Sequence, residues 1–522
     1  MVKTSSCLPC PFGANCFQNI KAKTNFWGYK VYGYPSTLAF LPCPQEYCQR
    51  GNSKKNDYNS CYGNRTGVLC GKCAKGYTEA LFLTKCHKEN QCRNVWFWPL
   101  IAMYTTAMTL YFVYKPPIVS ILFRNIFWFR ESKVLHTIVY ANDNGGVNVI
   151  FYFYQIAELV NFKSFSNSVY QSFIAPVTAG FNFGLQLFIH HVNCPFPGLT
   201  VVTKELFLSL NVFVVIALLL PVYAIQRLLD KARHRHCSHR QQILLYMAVA
   251  MEFLLLGYER LTETALKMLH CVPINNQLRL FYDGNVHCWQ WWQFLFIIYT
   301  AVFVVPFIAV LYWASLKLQA NEISNIELLF SFLFPLPFLI FWVIKHLKKI
   351  KTIVPEDDLE KTKEVFHNPF RPPSREHPGT LYWESVLIGR RFVLLCLYTF
   401  ITDPMTKMMS LVCGNLGIFV HHMYNKPYKD QRINLWETAS LLSLVILSTK
   451  GLIEASTLSL GVEPVGPEET HFKFLNWMEV LILGFIPTIF LILIILTVLS
   501  QMFRFGFFVV TVITHKTYSR FI

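Results

Sequence analysis

The chain has 522 residues, 53% of them hydrophobic and 16% aromatic but only 15% charged, which leaves too little polar surface for a water-soluble protein of this length. Its net charge of +17 does not indicate nucleic acid, because the Lys and Arg residues gather between apolar runs with no RNA- or DNA-binding motif beside them, in the positive-inside pattern of a membrane protein. No Gly-rich phosphate loop, metal-ligand helix or nucleophile motif occurs in a suitable setting, so no enzyme, cofactor or bound metal is expected.

The first stretch lacks the apolar core of about 7 to 15 residues that a secretory signal needs. Either the first span carries the N-terminus across the membrane or a longer ectodomain precedes Met1, and the early start of a cysteine module favours the second. That module, residues 1–93, holds Cys7, Cys10, Cys16, Cys43, Cys48, Cys61, Cys70, Cys73, Cys86 and Cys92. The number is even and the stretch is too short for a large core, so disulfides are expected, each contributing roughly 2 to 4 kcal/mol. Their connectivity is open. The pairs Cys7/Cys10 and Cys70/Cys73 also have zinc-ribbon spacing, but zinc would leave the other six cysteines without a role. Asn64-Arg65-Thr66 is a glycosylation acceptor, which matters only in a secretory lumen. From Thr66 the text TGVLCGKCAKGYTEALFLTKC, through Gly67, Cys70, Cys73, Gly76, Tyr77 and Cys86, resembles the second half of EGF-like and laminin-type EGF modules. The resemblance implies an exterior spacer, sensing or adhesion surface.

Residues 94–514 are expected to form an all-α polytopic bundle, because lipid offers no partner to an unpaired backbone group. Apolar runs long enough for a ~30 Å hydrocarbon layer extend from Val95 to Tyr114, Leu206 to Ile225, Trp291 to Leu316, Leu435 to Leu447 with its extension to Ile453, and Leu475 to Leu499. Runs with interior charges extend from Val147 to Val160, Ile243 to Leu269, Leu381 to Ile401, and Met405 to Met423. The sum is about nine crossings. Basic residues orient them: Lys115, Arg124, Arg130 and Lys133 follow the first span, and Lys231, Arg233, Arg235 and Arg240 follow the third, placing these loops inside. Cys271 and Cys288 then share an exterior loop where they can pair, with Trp289, Trp291 and Trp292 at the interface.

Two ordinary crossings after Cys288 would put Lys345, Lys348, Lys349, Lys351, Arg371 and Arg375 outside. Later loops contradict that: Lys426, Lys429, Arg432, Arg504, Lys516 and Arg520 mark interior segments, whereas Glu463, Glu468 and Glu469 form an acidic loop. One apolar segment therefore fails to cross. Ile326 to Ile344 is the segment, because Pro335 and Pro337 interrupt its helix. A re-entrant or in-plane element is expected, serving as a gate or lying at the cytoplasmic interface, ahead of a cytoplasmic linker at residues 345–380. Residues 515–522 form a cytoplasmic tail, and the stretch after Arg504 is read as interfacial.

Ionisable groups inside spans point to function. Glu252, Glu259 and Glu263, separated by 7 and 4 residues, fall on one stripe of one helix and are candidates for lining a cation path. Internal pairing of Glu263 with Lys267 and Arg260 is the alternative. In YWESVLIGRRF, Glu384 and Arg391 share a face while Arg390 points elsewhere, so a partner on another helix is needed, with Glu437 and Glu479 as candidate acceptors. This network is either a structural ion pair or part of a gating or ligand-responsive device. Lys407 is expected to reach the headgroups. The run with His234, His236, Cys237 and His239 has no convincing ligand spacing and is read as a basic loop against anionic lipid.

CPFPGLTVVTKELF from Cys194, the Cys271/Cys288 loop, NPFRPP before YWESVLIGRRF, and HHMYNKPYKDQRINLWETASLLSL from His421 together resemble polytopic proteins with a transient-receptor-potential-like transmembrane region, related to fungal flavin-carrier-like and polycystin-like channels. The resemblance implies cation permeation, calcium included, across a plasma or secretory and endolysosomal membrane, with the N-terminus exterior and the C-terminus cytoplasmic. No selectivity-filter sequence, ankyrin repeat or EF-hand accompanies it, so no filter residue is carried over. The expected function is a cation channel or channel-related transporter with an extracellular sensing module, whose partners are the bilayer, cations, an extracellular ligand and further copies of itself, and not nucleic acid. A surface receptor or adhesion protein, and a lipid scramblase or small-solute carrier, are the alternatives.

Overall fold

The computed structural model describes residues 9–16, 20–48, 58–114, 144–160, 178–181, 194–232, 239–374, 379–460 and 470–500, apart from positions 82, 179, 349, 351–352, 368, 486, 490–491, 493–494 and 497. Cys7, the basic loops at 115–133 and 233–237, the acidic loop at 463–469, and Lys349, Lys351, Arg375, Arg504, Lys516 and Arg520 lie outside the described residues. The fold is mainly helical, with disulfide-linked strands at the N-terminus.

The N-terminal part consists of short antiparallel pairs: β1 (Ala14–Asn15) with β2 (Lys21–Ala22), β3 (Phe26–Val31) with β4 (Tyr34–Pro42), β5 (Arg65–Thr66) with β6 (Lys72–Cys73), and β7 (Tyr77–Thr78) with β8 (His87–Lys88). Such ribbons bury too little to stand alone. Disulfides Cys10–Cys16, Cys43–Cys48, Cys61–Cys70 and Cys73–Cys86 hold them. With Cys70 and Cys73 committed to disulfides, the zinc alternative loses that pair of ligands.

The module's core does not end at residue 93. Trp27, Tyr47, Leu69 and Cys70 pack with Val272, Ile274 and Phe281 from the hairpin of β9 (Cys271–Ile274) and β10 (Gln277–Leu280). That hairpin is closed by Cys271–Cys288. Backbones approach closely at the junction: a Cβ on Gly284 would lie 2.7 Å from the Val68 carbonyl oxygen, so only glycine fits. A further disulfide, Cys92–Cys194, bridges 102 residues and ties the module to the chain entering the bundle. Cys194 was missed as a disulfide partner because its mate lies so far away in sequence.

Helices α1 (Phe97–Tyr114), α2 (Asn144–Val160), α3 (Val201–Ala232), α4 (His239–Leu269) and α5 (Trp291–Gln319) follow. Within α5 the turn Thr300–Val304 widens to π geometry just before Pro306, which has no N–H to continue the ladder. The short helices α6 (Asn325–Leu333), α7 (Pro335–Leu347) and α8 (Glu356–Phe366) come next, followed by α9 (Trp383–Phe400), α10 (Pro404–Asn425) and α11 (Gln431–Leu460). A last helical stretch begins at residue 470. Asp403 caps α10 by accepting the Thr406 N–H at 2.8 Å, with Pro404 in the first turn.

Among the described residues, four helices are long and apolar enough to cross a membrane: Val201–Ala232, His239–Leu269, Trp291–Gln319 and Gln431–Thr457. Leu220, Leu228, Leu435 and Leu481 lie exposed on the bundle surface, as lipid-facing positions would. α4 is the central rod, packed on α1, α3, α5, α6, α8 and α9.

The helix ends sort into two groups. At one end, α4 and α9 meet where the His270 ring touches Phe400, and Lys23 of the N-terminal module donates to the Ser459 carbonyl at 2.6 Å. At the other end, Arg240 at the start of α4 pairs with Asp358 of α8, and Phe370 lies against Tyr428. The proline segment joins only this second group. Phe334, pushed out of helical geometry by the following Pro335 (φ −131°, ψ 68°), separates α6 from α7. Beyond it the chain turns back: Glu327 accepts the Trp342 indole N–H at 2.7 Å and lies 3.5 Å from the Lys345 ammonium. An unbroken helix would hold residues 327 and 345 about 27 Å apart. Pro335 and Pro337 therefore start the return arm of a helical hairpin whose two ends lie together.

Candidate functional site

Charged side chains inside the bundle form two main groups, both built on α4. The outer group lies where the N-terminal module meets the helix ends. There, Arg65 contacts Glu79 at 2.8 Å and covers the Tyr47 ring at 3.6 Å, while Lys204 at the start of α3 reaches Glu79 at 3.2 Å. Deeper, Glu205 and Glu263 alternate with Arg260 and Lys267. The four contacts are Arg260–Glu205 3.1 Å, Arg260–Glu263 2.9 Å, Lys267–Glu205 3.4 Å and Lys267–Glu263 2.8 Å. Two acids and two bases close a balanced square, the arrangement in which buried charges are tolerated.

This group walls a cavity of about 170 Å³. Its lining comes from the module (Glu46, Tyr47, Thr84), the segment after β10 (Phe281, Tyr282) and the ends of α2, α3, α4, α9 and α10. Burial pushes the Tyr47 phenol above its ordinary range, so it stays neutral there. Lys407 does not turn toward headgroups as expected: it lies in this lining, 5.0 Å over the Tyr398 ring.

The inner group sits where α2, α4, α9, α10 and α11 converge. Arg390 donates to Glu437 at 3.0 Å and stacks over Trp383, which in turn stacks on His421 at 5.1 Å. His422 contacts Glu437 at 3.6 Å and the Asn434 carbonyl at 3.2 Å. Arg391 donates to the Leu255 carbonyl at 3.3 Å and covers the Tyr152 ring. Glu259, 2% exposed, has an oxygen with no hydrogen-bond partner. Arg391 acts through space on both Glu259 and Glu384, and Glu252 acts on Glu384. Among the described residues, Glu437 pairs with Arg390, while Glu259 and Glu384 face Arg391 through space, with Arg260 also acting on Glu259. Glu384 also borders a void of about 10 Å³, room for about one water, whose other walls include Leu328 and Phe332 of the proline hairpin.

The sequence-predicted residues thus divide. Glu252 and Glu259 belong to the inner group, whereas Glu263 is held in the outer square by Arg260 and Lys267, the internal pairing that i, i+3 and i, i+4 spacing allows. Glu437 is the acceptor for Arg390. Glu479 is not an arginine partner: Lys450 takes it at 2.6 Å and also contacts Glu454 at 2.8 Å, because α11 brings its own cation to that level. Lys450 and Glu454 were missed although their i, i+4 spacing inside an apolar run was a readable signal. Arg65, Glu79 and Lys204 had no such signal, since tertiary contact alone joins them. Asn64 is exposed in a turn, its amide donating to the Cys86 carbonyl at 3.4 Å.

No family model, curated protein or solved structure matches the chain.

Proposed function

We propose that this chain is a multi-pass membrane protein that moves cations through its helical bundle, in the manner its sequence resemblance to TRP-like channels implies. In this reading α1 to α5, α9 to α11 and the last helical stretch make nine crossings. The disulfide module lies outside the cell or in a lumen, the C-terminus is cytoplasmic, and the hairpin of α6 and α7 enters from the cytoplasmic side and returns.

The observation that carries the reading is Glu259, a carboxylate only 2% exposed inside the bundle, with an oxygen that accepts no hydrogen bond and Arg391 acting on it only through space. An acid buried in a low-dielectric bundle without a bonded cation cannot stay ionised and uncompensated, since an unpaired charge there costs several kcal/mol or more. Bound cations or protons supply the compensation, and a site that exchanges them with both sides is a route. Glu259 is the deepest element of that route, Glu252 its neighbour one heptad away, and Glu384 faces the hairpin. The hairpin is the gate: irregular backbone at membrane depth is tolerated where it packs on protein or lines a cavity, and here it closes the void beside Glu384.

The test is flux of Na⁺, K⁺, Ca²⁺ and H⁺ in proteoliposomes, with lipid scrambling followed in parallel. Selective cation flux that falls at least tenfold in Glu259→Gln supports the reading. Lipid transfer without cation flux, or flux equal in wild type and variant, refutes it.

A further inference from the structure

We propose that the cavity between the disulfide module and the outer helix ends binds a small zwitterionic solute of the α-amino-acid class, whose carboxylate is anchored by Lys407. This site is separate from the cation route and does not depend on it.

Four cations line the cavity: Lys204, Arg260, Lys267 and Lys407. The first three are engaged by carboxylates, Lys204 by Glu79 and the other two by Glu205 and Glu263. Lys407 differs. Its ammonium lies over the Tyr398 ring, and among the described residues no carboxylate comes within ion-pair distance. An ammonium half-withdrawn from solvent, with a ring face beside it and Asp403, occupied in capping α10, acting on it only through space, leaves hydrogen-bond donors directed at an anionic group from elsewhere.

The remaining walls define that group's carrier. Glu46, Glu158, Glu205 and Glu263 balance the four cations, so the lining as a whole has no net charge. It suits a molecule that is itself neutral but dipolar, and disfavours a dianion such as a phosphate ester. A volume of about 170 Å³ is close to that of an engineered cavity of about 150 Å³ that takes benzene in another protein, which sets the ligand at amino-acid size. Tyr282, Phe281 and Tyr398 supply apolar surface for a side chain.

The site joins parts that are far apart in sequence. Its walls come from the module, the segment after β10 and five helices, so an occupant would be held by all of them and would fasten the module to the bundle. Ligand binding at a seam of this kind stabilises the docked state by mass action, and it gives the module a way to report an exterior solute to the helices.

The experiment is thermal unfolding of the full chain in nanodiscs, with each of the twenty proteinogenic amino acids, their carboxamide analogues, acetate and inorganic phosphate as probes. At least one amino acid raises the midpoint saturably while its carboxamide does not. Lys407→Gln weakens that response at least tenfold and Lys407→Arg retains it. Should Lys407→Gln fail to fold, acylation of Lys407 in the wild-type protein, read by peptide mass spectrometry, is slowed by the same amino acid. The proposal is overturned if no amino acid shifts the midpoint, if phosphate alone does, if Lys407→Gln responds like wild type, or if bound amino acid leaves Lys407 acylation unchanged. Cation flux is measured on the same samples, so loss of binding and loss of transport are distinguished.

Discussion

The two charge groups on α4 solve the cost of burying ions in different ways. In the outer one every acid of the Glu205/Glu263 square has two basic neighbours, and the cavity beside it admits solvent. In the inner one Arg390 holds one carboxylate directly, Arg391 donates to a backbone carbonyl, and one Glu259 oxygen has no hydrogen-bond partner. A redundant network tolerates the loss of a member; a sparse one does not. The contrast is between a closed set of ion pairs and a sparsely paired one.

The sharpest way to break the contrast is to remove one cation from each group. Arg390→Met leaves Glu437 buried with His422 and Tyr428 beside it but no arginine, and is expected to cost about 3 to 5 kcal/mol, measured as loss of the folded fraction in nanodiscs. Adding Glu437→Leu should recover most of that loss, because a well-packed apolar pair replaces an ion pair at little cost. In the outer group Arg260→Met should cost less, about 1 to 3 kcal/mol, since Lys267 still contacts both Glu205 and Glu263. Equal costs at the two sites would remove the distinction.

Much of this arrangement was legible in the sequence, and the limits are physical. The division into a cysteine module and apolar helices follows from composition, and the basic loops singled out the segment around Pro335 and Pro337, where the chain does turn back. Periodicity put Glu252, Glu259 and Glu263 on one face, yet it could not say that the stripe passes from one environment to another between Glu259 and Glu263. Which helix supplies a partner is a tertiary fact: Glu437 for Arg390 and Lys450 for Glu479 have similar sequence credentials. The seating of the module was also hidden, because Cys92–Cys194 and Arg65–Glu79–Lys204 join residues that no local pattern relates.

A smaller effect of opposite sign sharpens the comparison. Glu259→Gln removes a buried acid that lacks a direct partner, so it should raise stability by about 1 kcal/mol while reducing cation flux. The same change in the outer square, Glu263→Gln, removes a carboxylate that serves Arg260 and Lys267 and should destabilise by about 1 to 3 kcal/mol. Thermal midpoints of the two variants, compared side by side, read the difference in sign.

The mildest expected effect concerns two histidines at the ends of the bundle. His367, beside the α6–α7 hairpin, shares a hydrogen bond with Ser315 at 3.2 Å, and burial, helped by Lys363, pushes its imidazole down to about 4. His270, stacked on Phe281 where α4 meets the disulfide module, is pushed down to about 3 by burial and Lys407. An unfolded histidine takes up its proton near pH 6.5, so between that pH and the folded values the unfolded chain binds more protons than the folded one. Stability therefore rises with pH across this window: the contribution of each neutral ring is full above pH 6.5 and is lost progressively as pH falls toward 4 for His367 and toward 3 for His270. Unfolding midpoints at pH 7.5 and pH 5 should differ less in His367→Gln than in wild type, and less again when His270→Gln is added. A double variant as acid-sensitive as the wild type would place the pH response in the inner carboxylates instead, which returns the question to the sparsely paired group.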